Sequence, residues 1–231
     1  MSSSLALHHA LQAAELPLPA AKAQLRGHAI AIWTEPTTNV LAFLALHDSL
    51  KDWRFILLGS DPSVPVQDLI GQWQELSAGV CNSFQGASGI TEAQALAEFG
   101  VSSLENSTLA TQIRSKGPNV SESANLSGTL IAVQIISPAT LPALFEWEGA
   151  DNLGSRAALS ALLARWQRLW GAELFRLSDT DEATLSLLIR NSGRISEKQL
   201  ALRAELLAAC DELRVTKLLD TADEIYELWW D

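Results

Sequence analysis

The sequence lacks the residues from which metal centres and disulfide frameworks are usually built. Its two cysteines, Cys81 and Cys210, lie far apart and outside any CxxC spacing, which favours reduced thiols over a disulfide scaffold. None of the four histidines lies beyond His47, which excludes a histidine metal centre in the C-terminal half. No GxSxG, GxxxxGK, GxGxxG or HxE…CxxC motif is present. We therefore predict no cofactor and no metal, and we favour a non-enzymatic protein over an enzyme.

Positive charge is also scarce. The chain carries 16 Lys and Arg against 27 Asp and Glu, which gives a formal net charge of −11. Nucleic-acid binding requires a concentrated basic surface, and anionic membranes attract basic segments. The composition therefore argues against nucleic acid and against membranes as partners. It is compatible with a basic protein as partner, although acidity is also the ordinary state of a soluble bacterial protein.

Long apolar runs are absent as well. No segment approaches the roughly 20 apolar residues that a membrane-spanning helix needs. The first 21 residues contain no Lys or Arg, and His8 and His9 interrupt their apolar character, which is unlike a secretory signal. Leu7, Leu11 and Ala14 recur at helical spacing and predict a short amphipathic helix. We expect a soluble, cytoplasmic protein.

Apolar residues are plentiful, at 48% of the chain, and eight tryptophans accompany a single tyrosine. Such a composition is typical of a globular chain, and the large rings are expected mainly in cores. The order of segments predicts an α+β fold, in which helices flank a mixed sheet. We expect an N-terminal α/β unit over residues 1–100, a Ser/Asn/Gly-rich linker over 101–128 and a C-terminal α+β domain over 129–231.

In the N-terminal half, His28–Trp33 and Trp53–Leu58 predict two strands, and Asn39 begins a helix that reaches about Leu50. We expect these two strands to be parallel and adjacent. In the C-terminal half the pattern predicts, in order, a buried strand over Thr129–Ile136, a helix over Ser155–Trp170, antiparallel strands over Glu173–Leu177 and Thr184–Ile189, a helix over Glu197–Leu213 and a last helix after Thr221 that continues to Asp231.

Four motifs follow one another in the C-terminal half. They are the loop Trp147-Glu148-Gly149-Ala150-Asp151-Asn152, the segment Trp166–Leu174, the pair Ala204-Glu205 followed by Cys210-Asp211, and the terminal Leu228-Trp229-Trp230-Asp231. They are similar to the W-x-G-A-x-N, W-x-x-x-(Y/F)-G-A-x-(L/V), A-x-E…C-P-D and F-W-W-D motifs of the uncharacterised, mainly bacterial "domain of unknown function 4253" family. Residues 129–231 therefore resemble that family. The resemblance implies a domain boundary and no reaction. The chain departs from the family in having no proline between Cys210 and Asp211.

The loop motif is the first candidate site. Trp147, Glu148, Asp151 and Asn152 together have the composition of a polar pocket floor beside an aromatic wall. The favoured interpretation is structural: one buried tryptophan anchors the loop, and Asp151 and Asn152 cap the helix that follows.

The second candidate comprises Glu205, Cys210 and Asp211. A catalytic cysteine needs a base or a cationic neighbour, and Arg203 and Arg214 are the only nearby cations in the sequence. A buried structural cysteine is therefore the favoured interpretation.

The chain end is the third candidate. Trp229, Trp230 and Asp231 form either a lid over a core or an aromatic contact for a partner. Because the two tryptophans are adjacent, we expect one ring inside and the other partly exposed.

Two functions are compatible with these observations. The first is a non-enzymatic protein that binds another protein through an acidic, tryptophan-bearing surface. Toxin-neutralising immunity proteins of bacterial competition systems share this size, acidity and lack of visible chemistry. The alternative is a small-ligand binder or enzyme, with a pocket between the Trp147–Asn152 loop and the Glu205–Asp211 helix.

Overall fold

The structure is a computed structural model. It describes residues 3–34, 39–59, 68, 71, 90–101, 119–121, 126, 128–147, 155–178, 183–190, 197–210, 212–218 and 223–230. The chain divides into two compact units, one formed by Met1–Phe84 with Leu126–Pro138 and the other by Gln85–Asn125 with Ala139–Asp231. The first unit therefore takes up Thr129–Gln134, a segment that the sequence analysis places in a C-terminal domain.

The described residues form helices and strands of an α+β protein, which confirms the predicted fold class. The helices are α1 (Ser3–Ala13), α2 (Val40–Leu44), α3 (Glu92–Glu98), α4 (Leu141–Leu144), α5 (Arg156–Trp170) and α6 (Glu197–Ala209). The strands are β1 (Ala21–Leu25), β2 (His28–Ile32), β3 (Trp53–Gly59), β4 (Asn119–Ser121), β5 (Thr129–Gln134), β6 (Glu173–Ser178), β7 (Ala183–Ile189), β8 (Glu212–Lys217) and β9 (Glu224–Trp230). Two 3₁₀ turns span Ala45–Asp48 and Pro138–Thr140.

In the first unit the strand order is β1-β2-β5-β3, and each neighbouring pair is antiparallel. The two strands predicted there are present, but the prediction that they are adjacent is wrong, because β5 lies between them. Since both are antiparallel to β5, β2 and β3 do run in the same direction. Leu130–Val133 of β5 are at most 1% exposed, which is typical of a central strand covered on both faces.

A glycine is required where β5 begins beside the end of β3. Gly128 has a φ of +141°, and a Cβ at this position would lie 2.6 Å from the carbonyl oxygen of Leu58. A side chain at this position would therefore force the two strands apart.

An aromatic cluster packs α2 against the sheet of the first unit. Trp33, Phe43 and Phe55 have ring centroids 5.2 to 5.8 Å apart. The Trp33 Nε1–H donates to the carbonyl oxygen of Pro17 at 2.8 Å, and the Phe55 backbone N–H donates to His47 Nε2 at 2.8 Å. The Trp33 Nε1 and the His47 Nε2 are therefore satisfied inside an apolar core.

In the second unit the strand order is β6-β7-β9-β8-β4. The β6–β7, β7–β9 and β9–β8 pairs are antiparallel, and β8 pairs in parallel with β4. The predicted antiparallel pair β6–β7 is confirmed, with Ser178 opposite Thr184 as its last pair.

The end of the chain differs from its prediction. The helix expected over Glu197–Leu213 ends at Ala209, and the helix expected after Thr221 is wrong, because Glu224–Trp230 is the strand β9. This segment reads EIYELWW, and branched and aromatic residues of that kind favour strands. Because β9 pairs with both β7 and β8, partners distant in sequence decide its structure.

Helix α5 has the ends that its sequence predicts. The Ser155 Oγ accepts a hydrogen bond from the Ala158 backbone N–H at 3.2 Å, and Gly171 ends the helix in the left-handed conformation with φ of 68°. Ser155 is therefore the N-cap. Asp151 and Asn152, which we expected to cap this helix, lie outside the described residues.

Candidate functional site

Two of the predicted site residues meet in the core of the second unit. Trp147 is 5% exposed, and its Nε1–H donates to the carbonyl oxygen of Ser178 at 3.2 Å. Its ring contacts the Trp230 ring edge-on, with centroids 5.7 Å apart. The Trp230 Nε1–H donates to the carbonyl oxygen of Ala209, the last residue of α6, at 2.8 Å. Trp230 therefore fills the space between Trp147 and this end of α6.

Five other predicted site residues lie outside the described part of the chain. They are Glu148, Asp151, Asn152, Asp211 and Asp231. A pocket between the Trp147–Asn152 loop and the Glu205–Asp211 helix therefore stays a prediction.

Glu205 links α6 to α5. Its carboxylate accepts two hydrogen bonds from Arg165, at 2.9 and 3.1 Å, and one from the buried Trp166 Nε1–H at 3.2 Å. Arg165 also pairs with Glu92 of α3 at 3.1 Å. The hydrogen bonds that Arg165 donates to Glu205 are the main cause of the raised pKa of Arg165, although burial acts in the opposite direction. These contacts give Glu205 a structural role between helices.

Cys210 is buried, and its thiol donates to the carbonyl oxygen of Leu206 at 3.0 Å. The two arginines considered as activating cations have other partners: Arg203 binds Glu224, and Arg214 binds Glu212. These contacts support the structural interpretation of this cysteine.

Arg203 belongs to a buried polar cluster between α6 and β9. Its guanidinium donates to both oxygens of Glu224, at 3.1 and 3.2 Å, and its Nε–H donates to the Tyr226 hydroxyl at 2.9 Å. The Tyr226 hydroxyl in turn donates to Glu224 at 2.6 Å. Burial, and next the hydrogen bond to Glu224, raise the pKa of Tyr226 above its usual value of 10.0.

Tyr226 is the only tyrosine of the chain, so its ionisation can be followed alone by phenolate absorbance. In the unfolded chain the phenol loses its proton near pH 10, whereas the raised pKa in the folded protein keeps it neutral there. The contribution of Tyr226 to the free energy of unfolding is therefore complete below about pH 10, and it is lost as the pH rises towards the pKa of the folded protein. We expect no phenolate signal from the folded protein at pH 10 and half-ionisation in urea. Half-ionisation of the folded protein at that pH would contradict the burial and hydrogen bonding of Tyr226 in this cluster.

One face of the sheet strands in the second unit carries a polar row that was not predicted from the sequence. Arg176, Ser186, Glu227 and Arg214 stand directly opposite one another across β6, β7, β9 and β8. Opposite residues of antiparallel strands project to the same face, so these four side chains form one row. The available signal was the alternation of polar and apolar residues in FRLS, TLSLL, YELWW and ELRVT.

Most of this polar row is buried. Arg176 is 5% exposed, Glu227 3% and Ser186 0%. Burial lowers the pKa of Arg176, and the charge of Glu227 acts against that shift. Among the described residues the Ser186 Oγ has no hydrogen-bond partner. Burying polar and charged side chains in this way costs free energy of folding, and buried groups of this kind are often found at functional sites.

The row reaches solvent at Arg214. There Glu212, Arg214 and Trp229 form a surface that we call the Trp229 patch. The Arg214 Cζ lies 4.2 Å from the Trp229 ring centroid, and its Nε–H donates to Glu212 at 2.9 Å. The side chains of Arg214 and Glu212 are 39% and 42% exposed. Trp229 is half-buried on this face, whereas Trp230 is 3% exposed on the opposite face.

No family model, curated protein or solved structure matches the chain. The resemblance to the "domain of unknown function 4253" family therefore stays a prediction. Within the described ranges no helix is long and apolar enough to span a membrane. The same residues contain no group of three or more His, Cys, Asp and Glu that could hold a metal ion.

Proposed function

We propose that the chain is a non-enzymatic binding protein that engages a basic partner protein through the Trp229 patch. The stacking of Arg214 on the half-buried Trp229 carries this proposal. Tryptophan and arginine are the residues that most often dominate the free energy of protein association. The net charge of −11 would attract a basic partner over long range, while the patch would supply the close contacts.

The Trp229 patch is held in place before a partner arrives. Glu212 binds Arg214 from one side, and the Trp229 ring supports its guanidinium from below. Side chains that are already ordered lose less entropy on binding, so more of the contact energy appears as affinity. The Trp229 Nε1 is buried and has no hydrogen-bond partner among the described residues. An unpaired buried donor lowers the stability of the fold, so stability does not explain its presence.

The finer proposal is that the partner is a toxin, and that the chain is an immunity protein that neutralises it in the bacterial cytoplasm. The acidity of the chain supports this assignment, because an acidic surface complements a basic toxin. The resemblance of residues 129–231 to a mainly bacterial family is compatible with it.

The test starts with a pull-down of tagged protein from its native lysate, followed by mass spectrometry. The captured protein is then purified, and its affinity for wild type and for Trp229→Ala is measured by calorimetry. We expect a basic partner whose affinity falls with salt and falls at least about 30-fold in the variant, which is the usual effect of a dominant interface residue.

Trp170→Ala is the matched control. Trp170 is also half-buried in the second unit, and it also lies under an arginine, with Arg165 Cζ 5.8 Å from its ring centroid. It is not part of the Trp229 patch. Equal losses of affinity in the two variants would refute the assignment of the patch. The absence of any stoichiometric partner of a folded sample would refute the proposed function.

A further inference from the structure

A cavity of about 440 Å³ lies in the first unit, between α1 and the sheet. Its volume is within the range of about 300–1,000 Å³ that is usual for small-molecule sites. It is lined by Ser4, Leu7, Lys22, Ala23, Gln24, Ala29, Ile30, Ala31 and Trp53. All nine residues are described and belong to one unit, so the cavity is a property of that unit alone.

Small side chains on β2 leave this space open. Ala29 lies opposite Gln24 and Ala31 lies opposite Lys22, so these four residues project to the same face of the sheet. Trp53 faces the same side, because it is two residues from Phe55, which stands in one row with Ala132 and Ala31. The cavity thus has a floor of alanines, with the large ring of Trp53 as a wall.

The lining has one positive charge and no negative charge. Lys22 and Gln24 are exposed at the rim, whereas Leu7 and Trp53 are at most 4% exposed and border the apolar interior. An ammonium group beside an amide suits a carboxylate, and the apolar interior suits a hydrocarbon body. In this acidic chain a local site with only a lysine is selective for anions over cations.

We propose that this cavity binds a small monocarboxylate with an aromatic or branched apolar body, with Lys22 on the carboxylate and Trp53 beside the body. The site is independent of the Trp229 patch, because no residue is shared. Its failure and the failure of the proposed function are therefore distinguishable.

The test is isothermal titration calorimetry of the full chain with naphthylacetate and with its neutral analogue, naphthylacetamide. We expect naphthylacetate to bind about tenfold or more tightly than the amide, since a charge-assisted hydrogen bond is lost in the amide. Lys22→Gln is expected to abolish this preference, and Lys22→Arg to keep it. Ala29→Leu is expected to abolish binding of both probes, because the larger side chain occupies the cavity.

Lys217→Gln is the matched control, since Lys217 is an exposed strand lysine of the second unit. It is expected to leave binding unchanged. Thermal melts establish that each variant is folded, and Ala29 tolerates a larger residue because it is only half-buried. Binding of neither probe to the folded wild type overturns the proposal, and so does equal binding of acid and amide or an unchanged preference in Lys22→Gln.

Discussion

Replacing Arg203 by methionine is expected to lower the free energy of unfolding by about 3–5 kcal/mol, the usual effect of removing one partner of a buried ion pair. The side chains of Arg203 and Glu224 are only 11% and 5% exposed, and Arg203 supplies two hydrogen bonds to that carboxylate. Methionine of similar length would leave the charge of Glu224 buried with the Tyr226 hydroxyl as its remaining partner in the cluster. The measurement is urea unfolding followed by circular dichroism.

Two further variants test whether the loss of stability comes from the buried charge of Glu224 or simply from removing an arginine. Arg214→Met removes an exposed ion pair in the same sheet, and we expect it to change the free energy of unfolding by no more than about 1 kcal/mol. Arg203→Met combined with Glu224→Leu removes both charges and is expected to recover part of the loss. If Arg203→Met and Arg214→Met lowered the free energy of unfolding by similar amounts, burial would not determine how much each ion pair contributes to stability.

Local sequence signals were sufficient to predict an element where nearby residues determine its two ends. Helix α5 begins at a serine that caps it, carries a continuous apolar stripe and ends at Gly171, whose positive φ favours glycine. The β6–β7 pair likewise joins two apolar segments that only four polar residues, 179–182, separate in the sequence. In both cases the residues that determine the structure lie within a few positions of one another.

Long-range pairing decided the elements that were predicted wrongly. The segment 224–230 fits a helix as well as a strand when its neighbours are unknown, and β7 and β8 select the strand by pairing on both sides. The position of β5 between β2 and β3 has the same origin. Its partners lie about 70 to 100 positions earlier in the chain, as the pairs Leu57 with Leu130 and Ile32 with Ile131 show.

The same error concealed the polar row. Glu227 and Trp229 were read as helical neighbours, whereas on β9 they share a face with Ser186 and Thr184 of β7. Arg214 joins them only because the segment after Cys210 is a strand. Trp229 itself was identified from the sequence, but its contact with Arg214 requires the register of β8 against β9.

Replacing Trp230 by alanine is expected to lower the free energy of unfolding by about 3–5 kcal/mol, the usual cost of removing a large buried ring. The ring contacts Trp147 edge-on, is 3% exposed and donates from Nε1 to the carbonyl oxygen of Ala209. Alanine would leave a cavity at the end of α6 and an unsatisfied carbonyl. In a chain of 231 residues each kcal/mol lowers the melting temperature by about 2–4 °C, so the loss is readily measured by calorimetry.

The adjacent Trp229→Ala is the control for this prediction. It removes a ring of the same size from the next position of the same strand, but from the opposite, half-buried face. We expect it to cost no more than about 1.5 kcal/mol, since a partly exposed ring loses less transfer free energy and leaves no closed cavity. Trp230→Phe should fall between the two, because it keeps most of the packing and loses the hydrogen bond to Ala209. If Trp229→Ala destabilised the protein as much as Trp230→Ala, both rings would be part of the core. The Trp229 patch would then be unavailable as a binding surface.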